Sequence, residues 1–86
     1  MNKLKVCYFA WVRERIGKTD EELAPPPNVA TVADLVRWLA LRGDEYAHAF
    51  ENPKVIRAAI DRNHAKPETA IAGAREIAFF PPMTGG

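Results

Sequence analysis

Few side chains in this 86-residue sequence are equipped for chemistry, and the group that stands out has no side chain. The sequence closes on Phe79-Phe80-Pro81-Pro82-Met83-Thr84-Gly85-Gly86, an apolar run that passes through two prolines to a diglycine and a carboxylate. Glycine, lacking Cβ, lets backbone thread a channel too narrow for side chains and accepts dihedrals that other residues avoid. What such a tail can offer a partner enzyme is its carboxyl group, so the reactive atom would sit on Gly86. At an average glycine frequency of about 7%, a chance pair at a given place arises roughly once in 200 chains. The reading therefore rests on the whole run and on the domain that carries it.

The other reactive residue types are sparse. Cys7 is the single cysteine, which rules out an internal disulfide and a thiolate cluster. Its place in an apolar strand predicts a buried thiol with a raised pKa, inert rather than nucleophilic. His48 and His64 lie far apart without zinc spacing, and a surface or turn position is expected for each. No metal site and no glycine-rich phosphate loop is expected. Twelve basic residues against 11 acidic give a net charge of +1, without the clustered Lys/Arg that nucleic acid requires. No apolar run approaches the ~18 residues of a membrane span and no leader pattern is visible, so a cytoplasmic protein without membrane contact is expected. On its own the chain is not expected to be an enzyme.

The tail must be positioned by a small domain, residues 1–80, with 81–86 as a flexible extension. A hydrophobic fraction of 48% suffices for one core. Residues 3–9 alternate, with Leu4, Val6 and Tyr8 on one face; Cys7 and Phe9 make the other face apolar too, which predicts a central strand. Ala10 to Gly17 reads as a short helix with Val12 and Ile16 inward and Gly17 as its left-handed stop. Residues 18–24 read as a polar edge strand whose Asp20, Glu21 and Glu22 resist unwanted pairing. Pro25-Pro26-Pro27 ends it and acts as a stiff connector.

The clearest helix starts at Thr31, with Asp34 completing a capping box and Val32, Leu35, Val36, Leu39 and Ala40 forming one apolar stripe up to Gly43. Asp44 is expected to cap a further short helix reaching Asn52, with Ala47 and Phe50 inward. Residues 54–61 read as a strand and Arg62-Asn63-His64 as a turn. Residues 65–74 read as loop with a short extended piece near Ile71. Glu76 to Phe80, apolar on both faces, reads as a second central strand lying parallel to the first. The expected fold is α+β: a mixed sheet of four to five strands with one main helix on one face, the β-grasp or ubiquitin-like arrangement.

The ending Ile77-Ala78-Phe79-Phe80-Pro81-Pro82-Met83-Thr84-Gly85-Gly86 resembles that of the MoaD family, the small sulfur-carrier subunits of molybdopterin synthase. So do Val6-Cys7-Tyr8-Phe9-Ala10, Val12-Arg13-Glu14, Gly17 and the helix capped by Thr31, and the resemblance covers essentially the whole chain. Met83 stands where valine is common in the family, and Arg62-Asn63-His64 is more basic than is usual there.

The resemblance implies that Gly86 is adenylated by a MoeB-like adenylyltransferase using ATP and magnesium, then converted to a thiocarboxylate by a persulfide sulfur donor. It further implies that the tail, Pro81, Pro82, Met83, Thr84 and Gly85, enters a MoaE-like large subunit within a heterotetramer. There sulfur passes to the cyclic pyranopterin monophosphate precursor. No cofactor is expected on this chain itself. Phe79 and Phe80 are expected first of all to be core and sheet residues, and both are candidates for the partner surface, which one of them is expected to border. Sulfur carriage for thiamine synthesis or tRNA thiolation, or conjugation as a ubiquitin-like modifier, would use the same diglycine.

Overall fold

Strand alternation sets up the architecture. In the computed structural model, which describes residues 3–82, the first strand, β1 (Leu4–Tyr8), sends Leu4, Val6 and Tyr8 into the core. The last strand, β5 (Glu76–Phe80), sends in Ile77 and Phe79. The two lie side by side and parallel, Val6 opposite Ile77 and Tyr8 opposite Phe79, as their matching polar-to-apolar sequences predict. β2 (Asp20–Leu23) pairs antiparallel on the outer side of β1. β3 (Arg57–Ile60) and β4 (Asn63–Ala65) extend the sheet beyond β5. The order β2-β1-β5-β3-β4 makes a five-stranded mixed sheet with the first and last strands inside.

Three helices cover one face. α1 (Ala10–Ile16) buries Val12 and Ile16 and stops at Gly17, whose φ of 83° is left-handed and whose N–H donates to the Arg13 carbonyl. α2 (Val32–Ala40) is the main helix and buries Val32, Leu35, Val36 and Leu39. The capping box at its start is formed in full: Asp34 N–H donates to the Thr31 hydroxyl, and the Thr31 N–H to the Asp34 carboxylate. The extended piece near Ile71 is a single bridge, Thr31 to Ala70.

α3 (Asp44–Ala49) differs from expectation. It ends at Ala49 rather than Asn52, with Gly43 and not Asp44 at the N-cap. Its inward residues are Tyr46 and Ala49, followed by Phe50, whereas Ala47 is exposed. The larger Tyr46 wins the inward face, and Ala47, one step around the helix, is rotated out. The start of the third predicted strand is a 3-10 turn, Pro53–Val55, because Pro53 fixes φ in the helical range and lacks an N–H to donate.

The predicted turn also moves. Asn63 and His64 lie in β4, and the reversal is the two-residue link Asp61-Arg62 between the paired Ile60 and Asn63. Both link residues have positive φ, 48° and 75°, the combination of a tight hairpin turn matched to sheet twist. Asp61 tolerates it and gains from it, since its carboxylate accepts from the N–H groups of Arg75 (3.1 Å) and Glu76 (3.0 Å) at the entrance to β5. Among the described residues Arg62 makes no comparable side-chain hydrogen bond. Arg62→Gly is expected to stabilise the fold by about 0.5–1 kcal/mol, seen as a raised midpoint in urea denaturation; a lowered midpoint would show that the arginine side chain contributes more than its backbone costs.

Candidate functional site

The tail leaves from the centre of the sheet, not from its edge. β5 is held by β1 on one side and β3 on the other, and the Phe9 N–H donates to the Phe79 carbonyl (3.0 Å) at its end. Pro81 and Pro82 follow, half-buried and outside any strand. Proline ends ladder pairing and stiffens the chain it starts, so the root of the tail carries little conformational entropy. Met83, Thr84, Gly85 and Gly86 lie outside the described residues.

Strand alternation separates the two phenylalanines. Phe79 is fully buried at 0% exposure, its ring packed edge-on against Phe50 at 5.4 Å. It belongs to the core, which corrects its assignment to a partner surface. Phe80 points to the opposite, helix-free face and is half-buried, with the His64 ring 5.8 Å away edge-to-face. Alternation places Cys7 and Ala78, which pair in register, on that face, together with Ala59. Phe9, 48% exposed, continues the row beside the end of β5. The result is an apolar strip running to the root of the tail.

Cys7 is buried as expected, and burial first, then the nearby Glu76 carboxylate, pushes its thiol pKa up. His48 is exposed on α3 and His64 on β4, on opposite sides of the sheet from one another's element. Among the described residues no group of three His, Cys, Asp or Glu side chains could hold a metal ion. No helix among them is long and apolar enough to cross a membrane.

One polar cluster escaped sequence reasoning. Glu21, expected to be a solvated edge charge, is opposite Val6 in register and so faces the core side. The phenol O–H groups of Tyr8 and Tyr46 donate to its Oε2 at 2.8 and 2.6 Å, and Lys18 Nζ to its Oε1 at 3.3 Å. Arg42 stands 3.5 Å from the same Oε1. Burial works against ionisation, but the hydrogen bonds from Tyr46, Tyr8 and Lys18 and the charge of Lys18 outweigh it and hold the carboxyl below its ordinary pKa. Its alternation with Leu23, also half-buried, was the available signal.

A depressed folded-state pKa stabilises the fold above the unfolded value, about 4.3, and that contribution is lost as pH falls through the folded pKa. Glu21→Ala is expected to cost about 2 kcal/mol at pH 7, since two buried phenols lose their acceptor. Urea denaturation at pH 7 and pH 3 should show the gap between the variant and the wild type narrowing in acid. A gap of equal size at both values would show that the carboxylate's charge contributes nothing.

A central parallel pair, helices on one face and a tail issuing from the inner C-terminal strand define a β-grasp protein of the ubiquitin-like class. The likeness extends over the small archaeal modifier protein 1 of Haloferax volcanii, whose crystal structure superposes with a TM-score of 0.72 at 22% identity, covering 96% of this chain and 100% of that one. The chain belongs to the ThiS family, whose model matches residues 6–86 and so includes the diglycine. It is 40% identical to the molybdopterin synthase sulfur carrier subunit of Haemophilus influenzae and 36% identical to that of Escherichia coli. Each match takes in 96% of this chain and 99% of the relative.

Proposed function

We propose that this chain is the sulfur-carrier subunit of a molybdopterin synthase and that Gly86 is its loading site. The observation that carries this reading is the near end-to-end match to two proteins of that name. The fold supports it, since the central strand β5 delivers a proline-stiffened root toward the diglycine beside an apolar strip suited to docking.

The chemistry follows from the group. A terminal carboxylate, with an ordinary pKa of about 3.3–3.7, is ionised at neutral pH and would have to expel oxide to act as an acyl donor. A MoeB-like adenylyltransferase solves this with Mg-ATP. A Gly86 carboxylate oxygen attacks the α-phosphorus, pyrophosphate leaves, and the acyl-adenylate carries AMP as a good leaving group. A persulfide sulfur displaces AMP, and a thiol cleaves the resulting acyl disulfide to release the thiocarboxylate. The MoaE-like large subunit then receives the tail and directs that sulfur onto the cyclic pyranopterin monophosphate, two carriers supplying the two sulfurs of the dithiolene. The six residues Pro81 to Gly86 span at most about 20 Å, enough for a buried site. This chain contributes the carboxyl group and its delivery; ATP and magnesium belong to the activating protein.

The likeness to an archaeal modifier protein is one of fold alone and favours no second role. The test is mass spectrometry of the fragment ending in Gly86 after incubation with the activating enzyme, Mg-ATP and a persulfide donor. Thiol-selective alkylation separates thiocarboxylate from Met83 oxidation, which gives nearly the same mass. ATP-dependent appearance of the alkylated fragment is the expected result. Its absence with a competent activating enzyme would sink the carrier reading.

A further inference from the structure

The helix-free face of the sheet is electrically lopsided. On the β2 side stand Asp20 and Glu22, with Lys5 Nζ 4.0 Å from Asp20. On the β3–β4 side the exposed Arg57 and Lys66 flank a groove of about 520 Å³. Phe80 and His64, ring edge against ring face, form part of its wall. Among the described residues neither Arg57 nor Lys66 has a carboxylate within 4 Å. Arg57 pairs with Phe80 in register, so the two are neighbours across the β3–β5 ladder.

The groove's position decides what must meet it. Phe80 directly precedes Pro81-Pro82, and the tail beyond extends at most about 20 Å. A protein that draws Gly86 into a buried site must therefore bring its own surface against the residues around Phe80. On that rim it meets two cations that have no carboxylate within 4 Å among the described residues, and on the opposite rim two carboxylates beside Lys5. Charges at the edge of a docking surface set orientation and encounter rate, and like charges opposite them are costly.

We propose that the Arg57–Lys66 groove seats an acidic, carboxylate-bearing segment of the synthase large subunit and so fixes the orientation in which the carrier docks. This rests on the carrier reading above and adds the chemistry of the contact.

The test is calorimetric titration of the intact carrier with its cognate large subunit at low and high salt. The comparison is between the wild type and the double variant Arg57→Gln/Lys66→Gln. The expected result is a Kd raised about tenfold at low salt, converging on the wild-type value at high salt, with the melting temperature unchanged because both residues are exposed. An unaltered Kd and salt slope in the double variant, with the wild type binding normally, would overturn the proposal and leave the carrier reading standing. A loss undiminished by salt would overturn it as well, because it would mark packing rather than charge. A wild-type chain that neither binds the large subunit nor forms a thiocarboxylate would remove the carrier reading and this inference with it.

Discussion

Deleting Gly86, or adding one residue after it, is expected to abolish sulfur delivery while leaving the folded domain as stable as before. One residue moves the carboxyl group by about 3.5 Å along an extended chain. Misplacing a reacting group by about 1 Å can already cost 10²-fold, so a loss of at least about 10³-fold is expected in both loading and delivery. An added residue also turns the Gly86 carboxyl into an amide, whose carbonyl oxygen is a far weaker nucleophile than a carboxylate, and carries the new terminal carboxylate past the loading position. The readouts are thiocarboxylate formation in vitro and molybdoenzyme activity in a strain lacking its own carrier. Urea denaturation serves as the control, because the last described core residue is Phe79, seven positions before Gly86. Normal molybdoenzyme activity from either variant would mean that the diglycine is incidental.

The second large effect separates two adjacent residues of identical type. Phe79→Ala is expected to cost about 3–5 kcal/mol, a large part of the roughly 5–15 kcal/mol available to a domain. Phe79 is wholly enclosed, with Phe50 against its ring and Tyr8 opposite it in register. Phe80→Ala is expected to stay within about 1 kcal/mol, since Phe80 is only half-buried on the helix-free face. The order should invert for binding, with Phe80→Ala weakening association with the large subunit while the fold survives. Equilibrium denaturation and calorimetric titration of both variants test the pair. Equal destabilisation by the two would contradict the alternation on which the surface assignment rests.

Much of this was legible in the sequence because the signals are local. The alternation of Leu4, Val6 and Tyr8, the capping box at Thr31–Asp34 and the left-handed stop at Gly17 each depend on a few neighbouring residues, and each appears as expected. The misreadings arose where a tertiary partner decided the outcome. Glu21 resembles any edge-strand acid until Tyr8 and Tyr46 are brought to it from elsewhere in the chain. The hairpin reversed at Asp61-Arg62, without glycine, because the Asp61 carboxylate is anchored to the backbone of Arg75 and Glu76. Phe79 and Phe80 could not be assigned to faces from an apolar run alone; pairing with β1 and β3 assigns them. The diglycine was the clearest chemical signal, and the groove beside Phe80 the least visible, since Arg57 and Lys66 meet only through the β3–β4 pairing.

The location of β5 between β1 and β3 also has a mechanical side. A pull on the tail, as a partner withdraws or a processive unfolding machine grips it, acts along the strand axis and loads both flanking ladders in shear. The hydrogen bonds on either side must then yield together, whereas a strand peeled from a sheet edge would release them one after another. Resistance to such a pull is governed by the rate of unfolding rather than by equilibrium stability. On the carrier reading proposed above, the six-residue handle is thus tied to the part of the sheet hardest to extract.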